Sequence, residues 1–167
     1  REAALLGLDP GTRRLVRSWA ERDAAQVREV PWTPLAKPLR ECTIALVSSS
    51  GIARRDDQPF DQDGERRNPW WGDPSFRVIP RETTTADVRV WHLHVDPALA
   101  ESALDCALPL ARLRELEAAA EIGASAPSHY SFMGYILKPR ELLERSVPAM
   151  VAQMRAEGVD AVLLVPV

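Results

Sequence analysis

The chain has 167 residues, 46% apolar and 27% charged, with a net charge of -3. That length suits one domain with a real hydrophobic core, and the slightly acidic balance argues against a nucleic-acid binder, which carries a basic face. No apolar run approaches the roughly 18 residues that a bilayer span needs, and the first residues lack a secretory layout. Cys42 and Cys106 stand far apart and outside CxxC spacing, so no disulfide framework is expected. A cytoplasmic, reducing home follows as the expectation.

Residues 1–30 form an N-terminal helical segment, with Thr12 as its expected cap and Leu15, Val16, Trp19 and Ala20 at helical spacing. Residues 31–167 form the α/β domain. Three prolines between Pro31 and Pro38 suit an extended linker. Thr43–Ser48 then reads as a buried strand running into Ser49-Ser50-Gly51, the usual opening of a βα unit, where free amides can hold an anion. Residues 52–86 show no period of 2 or 3.6. They mix charges and turn residues with Phe60, Trp70, Trp71 and Phe76, which predicts an ordered excursion folding over the body or onto a partner.

Order resumes with a second strand over Ala86–Asp96 and a helix behind Pro109 that stops at Gly123. Ser128–Tyr135 reads as a connection between helices, rich in aromatic and polar groups. A helical pattern starts at Pro139, with a kink or restart expected at Pro148, and ends at Gly158. Val159–Val165 is a third strand. The sum is an α/β fold, a parallel sheet with flanking helices, incomplete at the C-terminus. A start at Arg1 and a stop inside an apolar run also suggest part of a longer protein.

Period-2 geometry on the second strand would put His92, His94 and Asp96 on one face. Two imidazoles and a carboxylate there could line a substrate site, serve as ordinary surface polar groups, or ligate a metal; no metal is assigned. His129 is the candidate general acid or base, since its ordinary pKa lies near neutrality; pinning a turn is its alternative role. Tyr130 joins the substrate-binding candidates, and Gly134 is expected to supply an unusual backbone angle. Both cysteines read as structural.

Several strings occur in a fixed order: Trp32–Leu39, Ala45–Gly51, Asp73–Pro80, His92–Asp96, Pro109–Leu113, Glu121–Gly123, His129–Tyr135 and Gly158–Leu164. Together they resemble the selenoprotein B family of glycine/sarcosine/betaine reductase, which includes the dithiol-dependent D-proline reductase subunit. The likeness spans roughly residues 31–167. It implies reductive cleavage of a carbon–nitrogen bond in a small amino-acid-like substrate such as glycine, sarcosine, betaine or D-proline, with electrons from thiols. It also implies partner subunits, one carrying a pyruvoyl group, and a cysteine or selenocysteine nucleophile after the strand at Ala161–Val165, hence beyond Val167. No cofactor is expected within the chain itself. Two alternatives stay open: a non-catalytic α/β binding or assembly subunit, and a metal-dependent hydrolase built on His92, His94 and Asp96.

Overall fold

Everything in the main sheet is arranged around β1 (Thr43–Ser48), whose residues are buried from Ile44 onward. The computed structural model describes residues 9–24, 33–68 and 70–167. It divides into two units, Arg1–Pro34 and Leu35–Val167. Pro31 and Trp32, the first part of the expected linker, lie outside the described residues, as do the ends of the expected helical segment at 1–8 and 25–30.

In the first unit, α1 (Pro10–Ala24) is capped by Asp9 rather than by Thr12. The Asp9 carboxylate accepts the N–H groups of Gly11 and Thr12 at 2.9 and 3.1 Å. Pro10 takes the first helical position, where a missing donor costs nothing.

In the second unit, β7 (Ala161–Val165) runs parallel to β1 over its whole length, from Ile44 opposite Ala161 to Ser48 opposite Val165. A strand has two edges, so β5 (Ala124–Ser125) and β6 (Ser128–Phe132) share the other one, both parallel to β1. β3 (Phe76–Pro80) closes that side, antiparallel to β6. β2 (Ile52–Arg54) and β4 (Val88–Val90) form a separate antiparallel pair. The sheet is thus mixed but mostly parallel, and with its helices the fold is α/β.

Around β1 both faces of the sheet are covered. Ile44 and Leu46 pack with Leu108, Leu110, Leu113 and Ile122, which places α4 (Leu110–Ala118) on one side. Val47 and Tyr130 pack with Met150 and Met154 of α5 (Val147–Ala156) on the other. Each such fully buried aliphatic side chain contributes about 1.5–3 kcal/mol. The restart expected at Pro148 is visible: a single π-helical turn, Leu142–Ser146, precedes α5, and the proline falls in the first turn of α5, where no donor is needed. Gly158 at φ +71° then ends α5, with the Val159 and Gly158 N–H groups reaching the Met154 and Arg155 carbonyls.

Three expectations need correction, and a fourth gains detail. Ser128–Phe132 is no connection but an interior strand. Its polar side chains hide the period because they bond inside the fold: Ser131 Oγ accepts the Ile52 N–H and Ser128 Oγ donates to Glu157. The second strand shrinks to Val88–Val90 and pairs with β2, outside the parallel sheet. Ser49–Gly51 leads into β2 instead of a helix, so the helix N-terminus that would accompany an anion site there is missing. The 52–86 excursion holds β2, α2 (Gln62–Arg67) and β3, and through β3 it joins the main sheet.

Two glycines also do a different job from the one expected. α4 already ends at Ala118, and Gly123 lies against the Glu41 backbone, where a Cβ would meet the Glu41 carbonyl carbon at 2.6 Å. Gly134 has no positive φ; it lets the chain pass the Ser49 backbone.

Candidate functional site

The parallel strands β1, β6 and β7 all end on one side of the sheet, the side where open α/β sheets take their ligands. Three backbone links tie these ends together. Gly51 donates its N–H to the Phe132 carbonyl at 2.9 Å, Trp91 donates to the Gly51 carbonyl at 2.9 Å, and Ser50 bridges to Met133. Gly51 sits at φ +64°, and any Cβ there would strike Met133 Sδ and crowd His92. A left-handed turn with no side chain thereby lets the loop after β4 lie directly on the end of β1. Ser49 Oγ accepts the Val167 N–H at 2.9 Å, so the end of the β7 segment is held at the same place. Below, Ser48 donates to the Ala107 carbonyl at 2.7 Å and lies 2.8 Å from Ser50 Oγ.

The loop after β4 carries His92, His94 and Asp96, and the structure separates them. With β4 ending at Val90, they occupy a turn and not alternate positions on a strand face. Asp96 faces the start of α3 (Pro97–Ser102), accepting the Ala98 N–H at 2.9 Å. His92 is buried, and its Nδ1 accepts the His94 backbone N–H at 3.1 Å. Burial, and then the neighbouring His94, push the His92 imidazole below its ordinary value. Of the two histidines only His94 reaches solvent, its ring packed edge-on to His92 at 5.8 Å and against Tyr135 at 4.4 Å.

Beneath His94 lies a group with no distinguishing mark in the sequence. Glu65, in α2, is 3% exposed, and its Oε1 is 3.2 Å from His94 Nε2. That is ion-pair distance without hydrogen-bond alignment, and neither carboxyl oxygen has another partner. Burial raises the Glu65 carboxyl above its ordinary value, against the pull of His94 and Arg66. Asp61 caps α2 by accepting the Gly64 N–H, and Gln62 donates to the Trp91 carbonyl at 2.6 Å, which docks the helix on the His92 loop. Nothing local sets Glu65 apart from Asp61 or Asp63; only tertiary packing does.

His129 and Tyr130 fall in the interior. His129 is fully buried: Nδ1 accepts the Leu46 N–H at 3.0 Å, and Nε2 lies 3.1 Å from Ser125 Oγ. With Nδ1 accepting, the single ring proton belongs on Nε2. Burial, with a smaller push from Arg81, lowers the imidazole to about 4. Both nitrogens are thus engaged within the sheet. Tyr130 packs on Phe76 at 6.0 Å among Val47, Met150 and Met154, and burial raises its hydroxyl to about 12. Tyr135, five residues on, is the tyrosine that reaches the strand-end group.

Among the described residues no three His, Cys, Asp or Glu side chains converge as a metal-binding set. Cys42 is buried just before β1, at the opposite end of the strand, with its thiol toward the Pro38 carbonyl. Cys106 is exposed and free. No helix among the described residues is long and apolar enough to cross a membrane.

Comparison with known proteins identifies a family. The family model described as glycine/sarcosine/betaine reductase selenoprotein B matches residues 19–167. The D-proline reductase subunit gamma of Acetoanaerobium sticklandii is 35% identical over 133 residues, covering 80% of this chain and 52% of that protein. The glycine reductase complex component B subunit gamma of Carboxydothermus hydrogenoformans is 31% identical over 135 residues, 81% of this chain and 30% of that protein. The matched span therefore amounts to about half of one relative and under a third of the other. No solved structure matches the chain. The chain belongs to the glycine/sarcosine/betaine reductase selenoprotein B family.

Proposed function

We propose that the protein works as a subunit of a thiol-dependent reductase that cleaves the carbon–nitrogen bond of a small amino acid or an N-methylated relative. The observation that carries this reading is the family match across residues 19–167, together with two relatives named as reductase subunits. The strand-end site supports it physically. An open imidazole, a buried carboxyl and backbone groups meet where a carboxylate-bearing substrate would enter, and His92 and His94 remain the chain's candidates for holding it. His129, Tyr130 and Asp96 have other engagements and leave the proposed site.

The nucleophile belongs to this proposal as well: a cysteine or selenocysteine following Val167, near the Ser49–Val167 contact. A thiolate or selenolate there is favoured because it is a soft, ionised attacking group. Cys42, at the wrong end of β1, does not fit the role. A pyruvoyl group on a partner, when bound, would supply a carbonyl that activates the amine. The donors at the strand ends, two imidazoles and a carboxyl, suit proton handling and carboxylate binding and are not specific for that carbonyl. A reducing cytoplasm suits the two free cysteines.

The test uses the complete gene product with its partner subunits and a dithiol. Glycine, sarcosine, betaine and D-proline are each supplied, and amine release or ring opening is followed together with disulfide formation. Dithiol-dependent turnover of one of them is the expected result, with a Cys or in-frame UGA codon soon after Val167. No turnover by an assembled complex favours the second reading, a binding or assembly subunit, for which the 63% exposed Trp70 supplies a contact.

A further inference from the structure

We propose that Glu65 and His94 form a proton-transfer dyad at the strand-end site, with His94 exchanging the proton and Glu65 fixing its ring and charge. The geometry separates the two roles. His94 is 54% exposed and can meet both water and a ligand, whereas Glu65 is 3% exposed and can reach only His94. The rings of Tyr135 and His92 border the imidazole on two sides and restrict its rotation.

Few other charges compete for the carboxyl. Arg66, next in α2, directs its guanidinium to Asp63 at 3.0 Å and Gln62 at 3.4 Å. His92 is buried and held neutral by its surroundings, with Nδ1 accepting a backbone N–H. Tyr135 offers a ring face to His94. A carboxyl buried without an aligned hydrogen bond is costly as an anion, and its burial accordingly favours the protonated form. At 3.2 Å the two groups are close enough for the charge of each to bear on the other.

The inference rests on the reductase reading only for the identity of the proton acceptor. There a thiolate electron pair makes the new bond to carbon, the carbon–nitrogen pair leaves on nitrogen, and nitrogen takes the proton held by His94. Water then returns a proton to the exposed ring. Glu65 acts through His94 and is a positioning residue.

The test reads coupling first, independently of turnover. In the full chain with labelled carboxyl and imidazole groups, the His94 ring nitrogen resonances should move in Glu65→Gln. His94→Gln should push the Glu65 carboxyl titration still higher, because the neighbouring positive charge is gone. If Glu65→Gln does not fold, the His94→Gln measurement reads the same coupling from the other side. Unchanged titrations overturn the dyad. In the assembled reductase, both variants should lower kcat, His94→Gln by about a hundredfold, the low end for a positioned acid or base, and alter the pH profile, with KM less affected. Turnover with an unaltered profile also overturns it. Coupling in the spectra with no turnover on any substrate supports the dyad and counts against the reductase reading.

Discussion

Two buried titratable residues contribute to stability with opposite signs. His129 is held neutral, lowered to about 4 from an ordinary value of 6.5. The unfolded chain therefore binds its proton first, so the stability due to His129 is complete above pH 6.5 and is lost as pH falls toward 4. The full loss is about 3 kcal/mol at 1.36 kcal/mol per unit. Urea unfolding at pH 7.5, 5.5 and 4 should show it. His129→Asn, which keeps an acceptor for the Leu46 N–H, should flatten that dependence. Glu65 runs the other way: its carboxyl is raised above 4.5, so its stabilisation is present at low pH and lost as pH rises through the folded value. Glu65→Gln should then stabilise the chain at pH 7.5 and have little effect at pH 4. At this scale the sequence named the right residue types but not their surroundings. His129 stood out as a histidine in an aromatic run, yet its role is set by Leu46 and Ser125, far from it along the chain or on another strand.

At the scale of elements, one side chain ties β3 to the segment that leads into α2. Arg77 of β3 donates to the carbonyls of Gln58, Pro59 and Phe76 and to Ser75 Oγ, and lies 4.2 Å over the Phe60 ring. A planar fork with five donors can satisfy that set; an ammonium cannot. Arg77→Lys should destabilise the chain by about 2–3 kcal/mol in urea melts, in the range for hydrogen bonds to a charged group. It should also speed tryptic cleavage at Arg66 and Arg67, because α2 is docked through this segment. Aromatic content in a charged, aperiodic stretch was sound evidence for order. Of the two strands within it, β3 has no legible pattern because Phe76–Pro80 is short and includes Arg77, a charge buried by carbonyls and not by carboxylates. β6 was concealed for a related reason: a strand packed on both faces need not alternate, and three of its five residues are polar but internally bonded.

On the scale of the whole molecule, β7 is the feature that departs from a closed sheet. It pairs with β1 on one side, and among the described residues no strand borders the other. Val162, Leu163 and Leu164 are 41%, 51% and 70% exposed, whereas parallel strands are ordinarily covered on both faces. An apolar edge of this kind promotes association. The 167-residue chain alone should self-associate in sedimentation velocity, and Leu164→Lys should weaken this about tenfold, since covering one leucine is worth about 1.5–3 kcal/mol.

Local chemistry in the sequence was enough to determine several features. The apolar runs at Thr43–Ser48 and Ala161–Val165 specified parallel strands, Gly158 specified the end of α5, and Pro148 specified the helix restart, because each depends on hydrophobicity or backbone stereochemistry carried by the residue itself. The ordered strings from Trp32 to Leu164 pointed to the family for the same reason: they are properties of the chain. The tertiary structure decided which titratable groups meet. His92, His94 and Asp96 share a face only if they lie on a strand, and the pairing of β4 with β2 stops that strand at Val90. His94 instead comes to rest on Glu65, whose burial depends on α2 docking against the His92 loop, a contact that no local sequence signal encodes.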